Sequence, residues 1–129
     1  MLQVGIRGEQ SIVVDGTVTA RVMGSGSLEV YGTPAMIALI EKTALKSIVP
    51  ELDEGWGSVG TSLNVQHLAS TPVGMKVTAK TELVEVDRRR LVFVAEVYDE
   101  AGLIGKGTHE RFLVEEAKFQ AKTDAKLQK

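Results

Sequence analysis

The sequence predicts an α+β domain in which a curved antiparallel β-sheet wraps around one long helix. Three observations carry this. Residues 33–49 run free of Gly and Pro after Pro34 and begin almost wholly apolar, as in a helix buried on most sides. Residues 59–67 alternate, with Val59, Thr61, Leu63, Val65 and His67 in one phase and Gly60, Ser62, Asn64 and Gln66 in the other, the period of a half-buried strand. The alternating segments after it are joined by short turns, which imply antiparallel pairing.

Taken in order, residues 9–14 read as a first strand, closed by the turn pair Asp15-Gly16. The segment up to Met23 suits either a strand or a short helix. Gly24-Ser25-Gly26-Ser27 is a loop. It lacks the Gly-x-Gly-x-x-Gly spacing and the βαβ context of a phosphate cradle. Thr33 is placed to cap the helix, with Pro34 at its first position, and Pro50 stops it. Residues 50–57 form a loop packed down by Trp56. His67 closes the inward row of the next strand, provided no bulge intervenes. Ser70-Thr71-Pro72-Val73-Gly74 turns the chain. A strand then carries Val73, Met75, Val77, Ala79, Thr81 and Leu83 on one side, and Leu91, Phe93, Ala95 and Val97 form another inward row. Residues 103–116 are the last strand; glycines inside it, Gly105 and Gly107, suggest a bulge or a close approach by another backbone or a ligand. From residue 117 to 129 the chain is a polar tail, with Lys118, Lys122 and Lys126 on one side of any helix that forms, the pattern of a solvated face.

Composition narrows the function. A length of 129 residues suits a single domain, residues 1–129, with a real core. The formal net charge of −2 argues against a nucleic-acid binder. Without cysteine there is no disulfide framework and no thiolate metal site. No apolar run reaches membrane-span length and no signal-peptide pattern opens the chain, so a soluble cytoplasmic protein is expected. Two His and scattered carboxylates show no metal-ligand spacing.

One residue departs from the pattern. Glu41 stacks with Ile37 and Leu45, four residues to either side, on an apolar ridge of the helix, away from the stripe of Lys42 and Lys46. A carboxylate there is costly unless paired or protonated. It is either a structural partner of an Arg or His, or a functional group whose pKa desolvation raises, fit to act as base or nucleophile. His67 at a strand end is a core histidine or a proton shuttle. Thr33 is a helix cap or, beside the positive helix end, a nucleophile or a stabiliser of developing charge. Eight helical residues separate Thr33 from Glu41 by about 12 Å, so the two would have to flank a substrate. His109 and Arg111, flanking Glu110, read by default as part of a surface or interface ion pair.

The order of strand, buried helix and four strands is the hotdog arrangement. A single sheet with one helix leaves edges open, so a homodimer, or a higher homo-oligomer, is expected. Gly24-Ser25-Gly26-Ser27-Leu28-Glu29-Val30, Thr33-Pro34-Ala35 with Glu41, Gly60 with His67, Ala69-Ser70-Thr71-Pro72-Val73-Gly74 and Gly107-Thr108-His109-Glu110-Arg111 together resemble the hotdog thioesterases of the fluoroacetyl-CoA thioesterase type, over residues 10–120. The resemblance implies an acyl-CoA thioesterase acting on a short or small acyl group, with coenzyme A entering only as part of the substrate, and no metal. It implies Thr33, Glu41 and His67 as the catalytic group, and Gly60 beside the thioester carbonyl. Arg111 joins Gly60 as a substrate-binding candidate. The family's aromatic lid residues upstream of the threonine are replaced here by Gly24-Ser25-Gly26-Ser27. The resemblance therefore implies thioester hydrolysis, while this departure leaves fluoroacetyl specificity outside what it implies. Two other readings share the fold: a non-catalytic module binding acyl-CoA or an acyl carrier, and an enoyl-thioester hydratase or dehydratase. The second usually needs an Asp close behind its His, whereas Leu68-Ala69-Ser70-Thr71 follows His67.

Overall fold

A computed structural model describes residues 2–128. Strand β1 is Arg7–Val13, and a short helix α1, Ala20–Met23, precedes the long helix α2, Thr33–Ile48. Then come β2 (Trp56–His67), β3 (Lys76–Asp87), β4 (Arg90–Asp99), β5 (Gly102–Glu115) and the helix α3 (Glu116–Asp124). The strands form one antiparallel sheet in the order β1-β3-β4-β5-β2. Strands β1 and β2 are its edges.

Helix α2 lies on one face of the sheet because its sequence presents a continuous apolar stripe. Ala35, Met36, Leu39, Ile40, Thr43, Ala44 and Ile48 are buried, at the spacing of one helical face. The first half of the stripe packs with Val77, Ala79, Ala95, Val97 and Ile104, and the second half with Leu83, Leu91 and Phe93. Burying each of the larger side chains contributes roughly 1.5–3 kcal/mol. This burial fixes how far α2 stands from the sheet, and so where its half-covered flank meets β2.

Several boundaries differ from the sequence reading. The first strand begins at Arg7 and ends at Val13. Helix α2 stops at Ile48 and tightens into a 3₁₀ turn, Val49–Glu51, which accommodates Pro50 without an α-helical bond from its missing N–H. Trp56 opens β2, and Arg89 stacks over its ring at 4.8 Å from the centroid. Val73 and Met75 precede β3. Lys118 and Lys122 lie on the exposed helix α3, and Lys126 on a following 3₁₀ turn, Ala125–Leu127; Lys129 of the expected tail lies outside the described residues.

The consequential difference is in β2. A bulge between Gly60 and Ser62 places Thr61 out of register with β5. A one-residue insertion moves every residue before it to the other face. Leu63, Val65 and His67 keep the inward side, as the alternation implied. Gly60, assigned to the outer phase by strict alternation, instead faces α2, where a Cβ would collide with the Glu41 carboxylate.

Candidate active site

The start of α2 and the end of β2 meet at Thr33 and His67. The Thr33 hydroxyl and His67 Nδ1 are 2.7 Å apart. Thr33 is the first residue of the helix, not its cap: Gly32 takes the cap position and supplies no side-chain bond. The threonine hydroxyl is thereby free for the imidazole. Tyr31, fully buried two residues earlier, packs edge-on against the His67 ring with centroids 6.5 Å apart. Burial lowers the His67 pKa below its ordinary 6.5, and the Ala69 backbone opposes this by less. A neutral ring whose Nδ1 accepts from the hydroxyl would be a base placed to activate it.

A second group lies along α2 and β2. The Glu41 side chain faces Gly60, and its Oε2 is 3.6 Å from Arg111 Nη1. Here the default reading of His109 and Arg111 fails. His109 is 0 % exposed and Arg111 5 %, because both share the inward phase of β5. The outward-facing residue of the trio is the one between them: half-buried Glu110 bonds Arg90 on the outer face of the sheet. Arg111 is held by Ser58, its Nε donating to Ser58 Oγ at 2.8 Å and its Nη2 to the Ser58 carbonyl at 3.0 Å. Burial pulls the Arg111 pKa below its ordinary value, and the charge of Glu41 works against that.

Glu41 is less buried than its ridge position implied. Its side chain is 41 % exposed in the single chain, since Ile37 and Leu45 beside it are only half-buried. Its desolvation is therefore partial, and it has a cationic neighbour. Nor does one chain bring all the expected catalytic residues together. Thr33 and Glu41 are eight residues apart on one helix, about 12 Å between Cα atoms. His67 and Gly60 are seven residues apart on β2, about 20 Å. Thr33 pairs with His67; Glu41 pairs with Gly60 and Arg111. His109 was missed as a site residue, although its phase along β5 matches that of buried Arg111 and inward Gly105. Among the described residues no three His, Asp or Glu side chains converge as metal ligands would.

The sheet curled about a long helix, with a threonine–histidine contact where that helix begins, is shared with hotdog-fold thioesterases, which are thioester hydrolases, and the chain is placed among them by its relatives. Its sequence specifies the group further. The model of the family described as "Fluoroacetyl-CoA-specific thioesterase" matches residues 14–117, and the chain belongs to this family. The fluoroacetyl-CoA thioesterase of Streptantibioticus cattleyicolor is 41 % identical over 98 residues, covering 76 % of this chain and 70 % of that protein. A variant of the fluoroacetyl-CoA thioesterase FlK, solved in complex with acetyl-CoA, superposes with a TM-score of 0.92 at 36 % identity, covering 97 % of this chain and 98 % of the other. A thioesterase-superfamily protein of Thermus thermophilus superposes at 0.88 with 30 % identity, over 96 % and 92 % of the two chains.

Proposed function

We propose that this chain hydrolyses a short or small acyl-CoA thioester in the cytoplasm, through Thr33, His67 and Glu41, with no metal and no cofactor beyond the coenzyme A of its substrate. The observation that carries this is the 2.7 Å contact of Thr33 with a His67 that burial keeps neutral. In this reading neutral His67 accepts a proton as an oxygen nucleophile, the Thr33 hydroxyl or a water held by it, attacks the thioester carbonyl. The same proton then passes to the departing CoA sulfur; where Thr33 is the nucleophile, a water deprotonated by the same ring then attacks the acyl-threonine ester, releasing the acid and restoring the hydroxyl. The missing side chain of Gly60 leaves room for the Glu41 carboxylate against β2, and buried Arg111 supplies a fixed positive charge facing that carboxylate, beside which the acyl group would lie.

A homodimer completes the site. Strand β2 is a long sheet edge, the feature proteins cover by pairing with another chain. In a two-fold dimer, each residue that meets a partner residue is met in return. Two copies joined along β2 would set the half-covered flanks of their α2 helices side by side. Glu41 of one copy would then face Thr33 and His67 of the other, closing the gap left within one chain.

Release of free thiol from a panel of acyl-CoA esters tests the function. Glu41→Gln should keep the fold, since the side chain is half-exposed and not in a tight ion pair, while turnover falls by a factor on the order of 100. Saturable binding of acyl-CoA without thiol release would favour the binding-module reading. Water addition to an enoyl-CoA without thiol release would favour a hydratase.

A further inference from the structure

The hydrogen bonds around Arg111 leave one end of its guanidinium to a residue that the proposed mechanism does not use. Ser58 holds Nε and Nη2, along one side of the planar fork. A fork held on one side can pivot about that side. The opposite end, Nη1, is 3.1 Å from His109 Nε2. The imidazole is itself fixed. Its Nδ1 lies 2.9 Å from the carbonyl oxygen of Ser62, the residue just after the β2 bulge. A carbonyl only accepts, so Nδ1 carries the proton, and in the neutral ring Nε2 is the acceptor that Arg111 requires. The ring also stacks on Phe93, with centroids 6.1 Å apart and planes 28° from parallel.

The distance to Glu41 shows what this anchor achieves. Charge-assisted N–H···O bonds close to about 2.7–2.9 Å. Arg111 Nη1 instead stays 3.6 Å from Glu41 Oε2, with its nearer bond going to His109. We infer that His109 is a positioning residue, holding Arg111 short of a closed ion pair with Glu41 so that the carboxylate stays available to the acyl thioester. The inference rests on the reading that Glu41 and Arg111 border the acyl group. Burial and the Arg111 cation both lower the His109 pKa, which keeps the accepting form in place.

Two substitutions separate the anchor from the fold. His109→Asn retains a donor for the Ser62 carbonyl but is too short to reach Arg111. His109→Gln places an accepting oxygen near the position of Nε2. With an acyl-CoA ester that the parent hydrolyses, His109→Asn should lower kcat by about tenfold, the effect of losing one hydrogen bond to a charged group, with KM changed by about twofold or less. His109→Gln should recover most of the loss even if the two variants melt at the same temperature. A crystal structure of His109→Asn should show Arg111 closed onto Glu41. Parent-like kcat in His109→Asn, losses that follow melting temperature in both variants, or an unchanged Arg111–Glu41 separation would each overturn the inference. If the parent releases thiol from no acyl-CoA ester, the site reading fails, while the Arg111–Glu41 separation still decides whether His109 positions the pair.

Discussion

At the scale of single residues, the site depends on a missing side chain and on an uncharged ring. A Cβ on Gly60 would overlap Glu41 Oε2 and stand 3.2 Å from His109 Cε1. The first obstacle is the end of a flexible side chain, so Gly60→Ala is expected to displace the carboxylate and leave the sheet intact. Turnover should fall by a factor on the order of 10 or more, because reacting groups tolerate little misplacement, with a melting temperature close to the parent's. Thiol-release kinetics and thermal melts of one preparation check both halves. His67 makes a prediction in pH. Its folded pKa lies below the ordinary 6.5, so the unfolded chain takes up the proton first as pH falls. The stability contributed by the neutral ring is fully present above about pH 6.5 and is lost as pH drops through the folded value. If that ring is the base, kcat/KM should fall on the acid side with a limb centred below pH 6.5. An acid limb centred above 6.5 would remove His67 from that role. His67→Gln should abolish the limb together with most of the activity.

At the scale of elements, β2 and β5 act as one ruler, and glycine sets how closely they lie. A Cβ on Gly107 would strike the backbone of Asn64 and come within 2.6 Å of Val65 Cα. Backbone cannot step aside as a side chain can. Gly107→Ala should therefore push β2 off β5, destabilise the fold by about 1–3 kcal/mol, and lower turnover by shifting His67, two residues beyond Val65. Denaturant titration reads the first effect and kinetics the second. A bulge or a close approach at this position was legible in the sequence, since glycine inside a strand has few other uses. So were the existence and order of every strand and of α2, because the period-two and helical patterns are long. The β2 bulge was not legible: Thr61 fits the inward phase as well as any neighbour, and only pairing with β5 shows that it is the extra residue. The face of Gly60 was lost with it. Burial of His109 and Arg111 was missed for another reason. Charged and polar types suggest a surface, and their burial depends on Ser58, Ser62 and Phe93, partners remote in sequence. Thr33 and His67 were paired by family resemblance alone; their contact joins residues 34 positions apart.

At the scale of the molecule, the arrangement within one chain is incomplete in a specific way. Thr33 and His67 are paired at one end of α2, and Glu41 is half-exposed some two turns further along. The free edge of β2 runs beside both groups. A second copy added along that edge would bury the flank carrying Thr33, Ile37, Glu41 and Leu45, whose present exposure the core does not explain. If activity resides in such a dimer, it depends on protein concentration. Sedimentation should show a homodimer at micromolar concentration, and specific activity should fall on dilution in step with dissociation, since half a site lacks its carboxylate. Mixing supplies a sharper test. A preparation of His67→Gln and one of Glu41→Gln should each be nearly inactive. In a mixed dimer, one of the two shared sites would receive His67 from one copy and Glu41 from the other, both unaltered. Random exchange makes about half of all dimers mixed, each with one intact site, so activity should return to about a quarter of the parent's. A site contained within a single chain predicts no recovery from the same mixture, at any ratio and after any time of exchange.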